Sequence, residues 1–400
     1  MKRLKLLLLL TLTSSLLLVG CGKDEPASKP VPPAEEDNIT SEIPKDDPVV
    51  DDPTDNPVAD EPEEDLPPEE GMVRSKLTNE WITEEQAIAR PIAIMMPTDK
   101  AAQPQNGIGQ ADILYECMEE GGISRQLAVI DGWQSLDKIG NIRSCRDYYF
   151  YMACEWDPIL IHVGGVYYMQ DRLSLGDIQN LSENAEAGAG SSSKGTVAFF
   201  RDKSRKSPHN CYVSAEGILT AMDRLDYPLE HREEYYEPDH FQFAEDTNTL
   251  EDAPDVMDAP AIDLSDPYPY SESYLEYNEE DGLYYKYLHG EAQIDATTGE
   301  QLTFANVIIQ TTYSEKRIDG DGSVSKYLAF KMHDTTRTGY FVTQGKAIPV
   351  RWEKTTDYGA TRYYDMDGNE IVLNTGKTYI AIIQEEKYPS FEINESLASN

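Results

Sequence analysis

The sequence predicts a mixed fold, α+β or α/β, in which an N-terminal α/β domain precedes a β-rich, mostly antiparallel C-terminal domain. Between residues 80 and 228, short apolar runs alternate with candidate helices, which is typical of an α/β or α+β unit. From Leu283 onward, closely spaced apolar and aromatic runs favour antiparallel strands.

Composition divides the chain into segments. The predicted boundaries are 1–20 for a signal peptide, 21–78 for a disordered tether, 79–228 for the α/β domain, 229–282 for an acidic connector, 283–388 for the β-rich domain and 389–400 for a tail. Residues 23–70 hold 11 prolines and carry a net charge of −15, so this segment should be unable to bury a core. Residues 230–281 carry a net charge of −17 and predict a solvated connector with local turns.

In the first domain, four apolar runs predict strands at 92–96, 127–130, 159–163 and 197–200. Ser144 to Asp147 fits a capping box in front of a helix from Tyr148 to Trp156. Ser214 is the expected cap of a second helix that ends near Leu225.

In the second domain, apolar runs predict strands at 307–310, 327–330, 340–342 and 379–383. Asp367-Gly368 lies between two further runs, 363–364 and 371–373. That dipeptide is a strong hairpin signal because glycine accepts the positive φ of a tight turn.

The first 21 residues predict where in the cell the protein is located. Basic residues precede an apolar run from Leu6 to Leu18, which is typical of a secretory signal peptide and short for a membrane span. Leu18-Val19-Gly20-Cys21 resembles the lipobox of bacterial lipoproteins, so we expect Cys21 to carry a diacylglyceryl anchor. The body should then lie outside the cytoplasm, tethered to the outer leaflet of the cell membrane and facing the wall space.

Charge and cysteines restrict the partners. The net charge of −39 argues against nucleic acid as a ligand. Cys117, Cys145, Cys154 and Cys211 allow either two disulfides or free apolar thiols, and their pairing stays open. No metal-ligand spacing occurs among the cysteines and histidines, and neither a metal nor a cofactor is implied.

Three loops that follow predicted strands carry the candidate ligand-binding residues. Arginines there suit a carboxylate or phosphate, and paired glycines allow close backbone approach. A fourth polar cluster at 116–125 is expected to join them. The candidates are Arg125, Arg143, Ser144, Arg146, Gly164, Gly165, Arg201, Arg205 and Asn210.

Each candidate also has a structural interpretation. Arg143 and Arg146 would then fasten loops by pairing with Glu116, Asp147 or Asp202. A histidine on an apolar strand, such as His162, is more often a hydrogen-bonded core residue than a catalyst. If the protein is an enzyme, His162 or His209 is the candidate acid or base, with Glu116 or Asp202 as its partner.

Many ordered motifs resemble the YerB-like family of bacterial lipoproteins, a two-part domain of unknown function. The resemblance covers about residues 88–385 and implies an α/β-type N-terminal part and a β-rich C-terminal part, but no reaction. The motifs lie at 90–95, 104–107, 111–116, 120–125, 138–140, 143–146, 162–165, 200–202, 205–210, 298–300, 306–307, 352–354 and 374–378. Cys145 and the 96–99 loop depart from the pattern of the family, so those four loop residues receive no role.

These observations favour a membrane-anchored extracytoplasmic protein that binds or scaffolds an anionic or polar envelope ligand, such as a wall polymer or a partner protein. The alternative is a hydrolase or transferase that acts on the cell wall through His162 or His209 and a carboxylate. A third possibility is a purely structural partner-binding protein whose polar loops fasten its two domains together. Binding is favoured over catalysis because no complete catalytic motif is present.

Overall fold

An eleven-stranded mixed sheet organises the protein, and strands from both halves of the sequence contribute to it. The computed structural model describes residues 66–183 and 194–393. The predicted signal peptide, the lipidation residue Cys21, most of the tether and the end of the tail lie outside the described residues. Within the described residues, no helix is both long and apolar enough to cross a membrane.

Within the described residues, the first half contains four short α-helices and ten strands. The helices are α1 (Glu84–Ile88), α2 (Tyr148–Cys154), α3 (Met169–Leu173) and α4 (Ala215–Leu225). The strands are β1 (Met72–Arg74), β2 (Trp81–Thr83), β3 (Ile92–Pro97), β4 (Ile113–Met118), β5 (Ser124–Ile130), β6 (Ile139–Gly140), β7 (Ile159–His162), β8 (Asn180–Ser182), β9 (Phe199–Arg201) and β10 (Cys211–Val213).

The remainder of the described chain is built from strands and turns. These strands are β11 (Gln242–Phe243), β12 (Met257–Asp258), β13 (Ala261–Asp263), β14 (Tyr274–Asn278), β15 (Leu283–Leu288), β16 (Glu291–Ala292), β17 (Thr303–Phe304), β18 (Asn306–Thr312), β19 (Ser314–Ile318), β20 (Val324–Phe330), β21 (Asp334–Thr343), β22 (Lys346–Lys354), β23 (Arg362–Tyr364), β24 (Val372–Leu373), β25 (Thr378–Gln384) and β26 (Glu392–Ile393).

The central sheet has the strand order β12-β22-β21-β18-β25-β4-β5-β3-β7-β8, with β23 paired to β22. The two halves meet where β25 runs parallel to β4, with Thr378 opposite Ile113. Every residue of β3, β4 and β5 is buried, so the core of the protein lies on both faces of these strands. The described residues therefore form one compact unit around a shared sheet.

The fold is mainly β, which corrects the expected balance of helix and strand. Apolar runs 92–96 and 127–130 are strands, but β3 and β5 pair antiparallel through β-rich connections. The segments between strands are mostly short 3-10 turns and loops, such as Lys100–Ala102 and Ile108–Gln110. Parallel pairing persists between β3 and β7 and between β7 and β8, so the sheet is mixed.

Most of the individual predicted strands are confirmed, and two departures have physical reasons. Residues 196–198 form a 3-10 turn, so the strand expected at 197–200 begins only at Phe199. Strand β4 was not predicted, because the charged residue Glu116 interrupts its apolar run. Hydrogen bonds inside the core allow that carboxylate to be buried there.

The prediction that the acidic segment 229–282 is a purely solvated connector is wrong. It contains β11 to β14, and Leu264 and Tyr268 within it are fully buried. The Tyr268 hydroxyl donates to the backbone carbonyls of Glu116 and Ile382, both at 2.9 Å. Many acidic side chains of this segment are exposed, while Leu250, Leu264, Tyr268, Tyr274 and Leu275 enter the core.

The two predicted helix caps have different outcomes. The Ser214 side chain accepts from the Gly217 N–H, so the cap of α4 is confirmed. The capping box at Ser144 is wrong, because α2 begins after Asp147 and no side chain caps it. Asp147 instead forms an ion pair with Arg317 of β19, which joins α2 to the C-terminal half.

Candidate functional site

One predicted arginine, Arg143, lies at the carboxyl ends of the parallel strands β3 and β7. Its backbone N–H donates to the Met95 carbonyl at 2.9 Å, and its carbonyl accepts from Val163 N–H at 2.9 Å. The segment around Arg143 therefore separates the two strands where they end. Openings at the carboxyl ends of parallel strands are frequent ligand sites.

Arg205 brings two further loops to this place. Its guanidinium donates to the backbone carbonyls of Ala102 at 2.8 Å and Gln103 at 3.4 Å, and also to that of Pro104. Asn141 Nδ2 donates to the same Ala102 carbonyl at 2.8 Å. We call the group formed by Asp99, Gln103, Asn141, Arg143 and His209 the three-loop site.

Unpartnered polar atoms are concentrated at and beside the three-loop site. Buried nitrogen and oxygen atoms in proteins almost always have a hydrogen-bond partner. Of the nine buried side-chain atoms without one in the described residues, four belong to this site and a fifth is Arg125 Nε beside it. The four are Gln103 Oε1, Asn141 Oδ1, Arg143 Nε and His209 Nδ1. Such a concentration marks a place where a partner outside the chain, either ordered water or a polar ligand, would complete the hydrogen bonds.

Arg143 is a half-buried cation without a counterion. Among the described residues its guanidinium makes no ion pair within 4.0 Å and no hydrogen bond. Burial, followed by the nearby charge of Arg125, lowers the pKa of Arg143, while Asp99 and Glu119 oppose that shift. A guanidinium stays charged at neutral pH even so, which leaves an incompletely compensated positive charge at the site.

Asp99 and His209 complete the charge pattern. Burial lowers the pKa of His209, with Asp99 opposing the shift and Arg143 and Arg205 adding to it, so the imidazole is neutral at pH 7. Asp99 precedes the 3-10 turn Lys100–Ala102, but its side chain makes no capping hydrogen bond. The Asp99 carboxylate thus lies near the Arg143 guanidinium and the His209 imidazole without a hydrogen bond to either of them.

Arg125 and Arg146 form ion pairs inside the protein. For Arg146 this agrees with the structural interpretation, although its partners differ from the expected Glu116, Asp147 and Asp202. Arg146 forms ion pairs with Glu119, at 3.2 Å, and with Glu120. Arg125 donates to Glu119 at 2.9 Å and to the Ser144 carbonyl. Burial lowers the pKa of Arg146, but the two carboxylates outweigh it and the pKa is raised overall.

Some residues of the 201–210 loop form internal ion pairs and hydrogen bonds, and others reach the three-loop site. Arg201 forms a bidentate ion pair with Glu183 and donates to Asn210 Oδ1 at 2.9 Å. Asp202 accepts from Lys138 at 2.6 Å and from the hydroxyl and N–H of Ser204. Of the candidates in this loop, only Arg205 and His209 reach the three-loop site.

The glycine pair after β7 serves packing. Gly164 has a φ of +66°, and its N–H donates to Ser182 Oγ at 3.1 Å. A Cβ on Gly165 would lie 2.0 Å from Met169 Sδ, so a side chain of α3 occupies the space expected for a ligand.

Two of the catalytic candidates are internal. His162 is fully buried, with Nδ1 2.8 Å from the Gly164 carbonyl and Nε2 3.3 Å from Asn180 Oδ1. Glu116 is also fully buried and accepts from Ser124 and Ser273, both at 2.6 Å. Within the described part of the chain, neither His162 nor His209 has a carboxylate within hydrogen-bond distance.

The Glu119–Gly122 turn lies on a separate depression of about 490 Å³. Carboxylates and lysines alternate around it, including Glu315, Lys316, Lys326 and Glu386. The fourth predicted polar cluster is thus divided, since Glu116 lies in the core, Arg125 reaches Ser144 and the turn faces this depression. The four described cysteines, Cys117, Cys145, Cys154 and Cys211, are buried free thiols.

Sequence reasoning missed Asp99, Gln103 and Asn141. A signal was available for Asn141, because positions two apart in an extended segment share one face and Arg143 follows it by two. Gln103 carries no local signal, since contacts with residues distant in sequence, among them Arg205 and Asn141, hold its loop against the site.

The architecture defines a strand-rich protein whose two sequence parts share one central sheet, and unpartnered polar atoms cluster at the three-loop site within the described residues. Residues 77–228 match the N-terminal domain, and 264–380 the C-terminal domain, of the family described as "Protein of unknown function (DUF3048)". The chain therefore belongs to the YerB-like family.

Similarity to YerB of Bacillus subtilis, both in sequence and in structure, agrees with this assignment. The "Putative lipoprotein YerB" of Bacillus subtilis (strain 168) is 26% identical over 319 residues, which cover 74% of this chain and 82% of that protein. The crystal structure of YerB protein from Bacillus subtilis superposes with a TM-score of 0.65 at 22% identity, covering 81% of this chain and 100% of that one. That likeness supports the mainly β fold.

Proposed function

We propose that this protein is a membrane-anchored extracytoplasmic binding protein that binds the anionic group of a polar cell-envelope ligand at the three-loop site. The lipobox-like Cys21 supports the anchor, and the similarity to a lipoprotein relative agrees with it. The ligand proposed is a wall component rather than an acidic segment of a partner protein, because the site is formed by three short loops.

One observation carries the proposal: Arg143 is the arginine that the surrounding carboxylates do not neutralise. Arg125, Arg146 and Arg201 each have a carboxylate partner, and Arg205 is held by backbone carbonyls. Arg143 has a buried Nε without a partner. A ligand carboxylate or phosphate would supply the charge-assisted hydrogen bonds that this guanidinium otherwise lacks.

Binding is supported better than wall hydrolysis. A general acid or base works through a proton held within hydrogen-bond reach, and a carboxylate beside the imidazole would orient it. His162 is directed at a backbone carbonyl and an asparagine, and His209 Nδ1 has no partner in the described residues.

The test is titration of the full chain with soluble, fluorescently labelled wall fragments, comparing muropeptides with glycerol phosphate polymer. Arg143→Gln should weaken binding by about 10- to 100-fold, which corresponds to the loss of one charge-assisted interaction. Arg201→Gln is the matched control, because it removes an arginine that Glu183 already neutralises. Wild-type affinity in Arg143→Gln, or an equal loss in both variants, would refute the site.

A further inference from the structure

We infer that the three-loop site recognises a zwitterion, namely a carboxylate together with a free ammonium group, as in an amino acid or a peptide with a free amine. This inference rests on the proposed function and specifies the ligand of the same site. It follows from which polar atoms lack partners and from the sign of the charges beside them.

The acceptors of the site match an ammonium group. Gln103 Oε1 and Asn141 Oδ1 are buried oxygens without a donor, and each carries lone pairs only. The Asp99 carboxylate adds a charged acceptor that makes no capping hydrogen bond. An ammonium group has three N–H donors and no acceptor, so its hydrogen-bonding chemistry complements these oxygens.

The donors of the site match a carboxylate. Arg143 Nε is a buried donor without an acceptor, and its guanidinium has a planar fork that suits two carboxylate oxygens. Arg125 Nε is a second buried donor without a partner, and its side chain is held beside Arg143 by Glu119 and the Ser144 carbonyl. Arg205 is committed to the 102–104 carbonyls, so it orders the loop and leaves the ligand's carboxylate to Arg143.

The charge balance disfavours a polyanion. Asp99 and Arg143 act on His209 with opposite sign, which places a negative and a positive charge near one imidazole. A polymer of repeating phosphates would bring further negative charge to Asp99, and repulsion would oppose its binding. A zwitterion would pair its carboxylate with Arg143 and its ammonium group with Asp99, so neither charge of the site would be left unpaired.

The experiment measures binding of four probes to the full chain by calorimetry: alanyl-alanine, its N-acetyl form, its C-terminal amide and glycerol phosphate polymer. Alanyl-alanine should bind at least 10-fold more tightly than either blocked form. Free alanine and a soluble wall stem peptide with a free amine then distinguish an amino acid from a peptide as the source of the zwitterion.

Two variants assign the preference to residues. Asp99→Asn keeps an acceptor but removes its charge, so the free and N-acetylated dipeptides should bind within about twofold of each other. Asp137→Asn is the matched control, because it removes an exposed carboxylate shortly before β6 and should keep the preference. Far-ultraviolet circular dichroism and the thermal midpoint establish that both variants are folded.

The outcomes separate the inference from the proposed function. If the N-acetyl dipeptide binds as tightly as the free one, and Arg143→Gln abolishes both, the zwitterion is refuted while the anion site stands. If the polymer binds best and Arg143→Gln abolishes that binding, the zwitterion is again refuted and the anion site again stands. If no probe binds at millimolar concentration and Arg143→Gln leaves binding of wall fragments unchanged, both are refuted.

Discussion

Lys286 Nζ lies 3.4 Å from the Glu116 carboxylate, and both side chains are fully buried. Glu116 belongs to β4 in the N-terminal half, and Lys286 belongs to β15 in the C-terminal half. Tyr379 of β25 donates a further hydrogen bond to Glu116 at 2.9 Å. A carboxylate of one sequence part is thus neutralised by residues of the other, which couples the stability of the two parts.

Glu116→Gln should lower the free energy of unfolding by about 3–5 kcal/mol, because it leaves the Lys286 ammonium buried without a counterion. Urea unfolding followed by fluorescence measures the change as a lower midpoint. Asp258→Asn is the control, since it breaks the exposed pair with Lys346 and should cost at most about 1 kcal/mol. Equal losses in the two variants would contradict the proposed coupling.

His240 predicts a fall in stability at mildly acidic pH. Burial lowers its pKa to about 4 despite the opposing charge of Glu155, whereas an unfolded histidine titrates near 6.5. The unfolded state therefore takes up the proton first. This contribution is present above pH 6.5 and is lost as the pH falls to about 4, by about 3 kcal/mol in total.

His240→Phe tests this prediction, because phenylalanine retains the stacking on Trp156, whose ring centroid lies 3.7 Å away. The unfolding free energy of the variant should fall less steeply than that of the wild type between pH 6.5 and 4. Superimposable pH profiles for the two proteins would show that the buried imidazole does not contribute.

Gly339→Ala should destabilise the central sheet by about 1–3 kcal/mol through overpacking. A Cβ there would lie 2.0 Å from the Ile309 carbonyl oxygen, which is backbone of the neighbouring strand β18 and has no rotamer to change. Gly320→Ala is the matched control, since a Cβ at that position in the β19–β20 turn has no neighbour within 4 Å. Thermal unfolding should separate the two variants, and equal midpoints would disprove the steric argument.

Arg205→Lys should loosen the 99–105 loop and weaken ligand binding by about 10-fold, since one ammonium does not reach the three carbonyls that the guanidinium holds. Hydrogen exchange should accelerate at the amides of Ala102 and Gln103, which close the turn after Asp99. Lys206→Ala, at an exposed neighbour, should change neither quantity. Faster exchange with unaltered binding would remove Arg205 from its positioning role.

Local pattern predicted the elements well where apolar residues are continuous. The run 379–383 became β25 and 307–310 became part of β18, because a buried strand needs apolar side chains on both faces. The Asp367-Gly368 turn also formed, with Gly368 at a φ of +94°. The strand β24 that follows it pairs with β11, however, and no local signal indicates so distant a partner.

The candidate site was predicted in part. The sequence placed Arg143, Arg205 and His209 in loops after strands, and the structure brings these loops together. It did not indicate which arginines are neutralised, since the ion pair of Arg146 depends on how the Glu119–Gly122 turn folds back. Asp99 and Gln103 became relevant only through the loop contacts made by Arg205 and Asn141.

By itself, the sequence determined most of the strand positions in the core and the presence of basic loops in an acidic chain, and it predicts lipidation at Cys21. These properties depend on residues close together along the chain, such as an apolar run or a turn dipeptide. The tertiary structure decided that both halves share one sheet and that Glu116 is neutralised by Lys286. It also decided that, among the candidate arginines in the described chain, only the guanidinium of Arg143 has neither a carboxylate nor a carbonyl partner. Those outcomes depend on pairing between distant segments, which local periodicity does not encode.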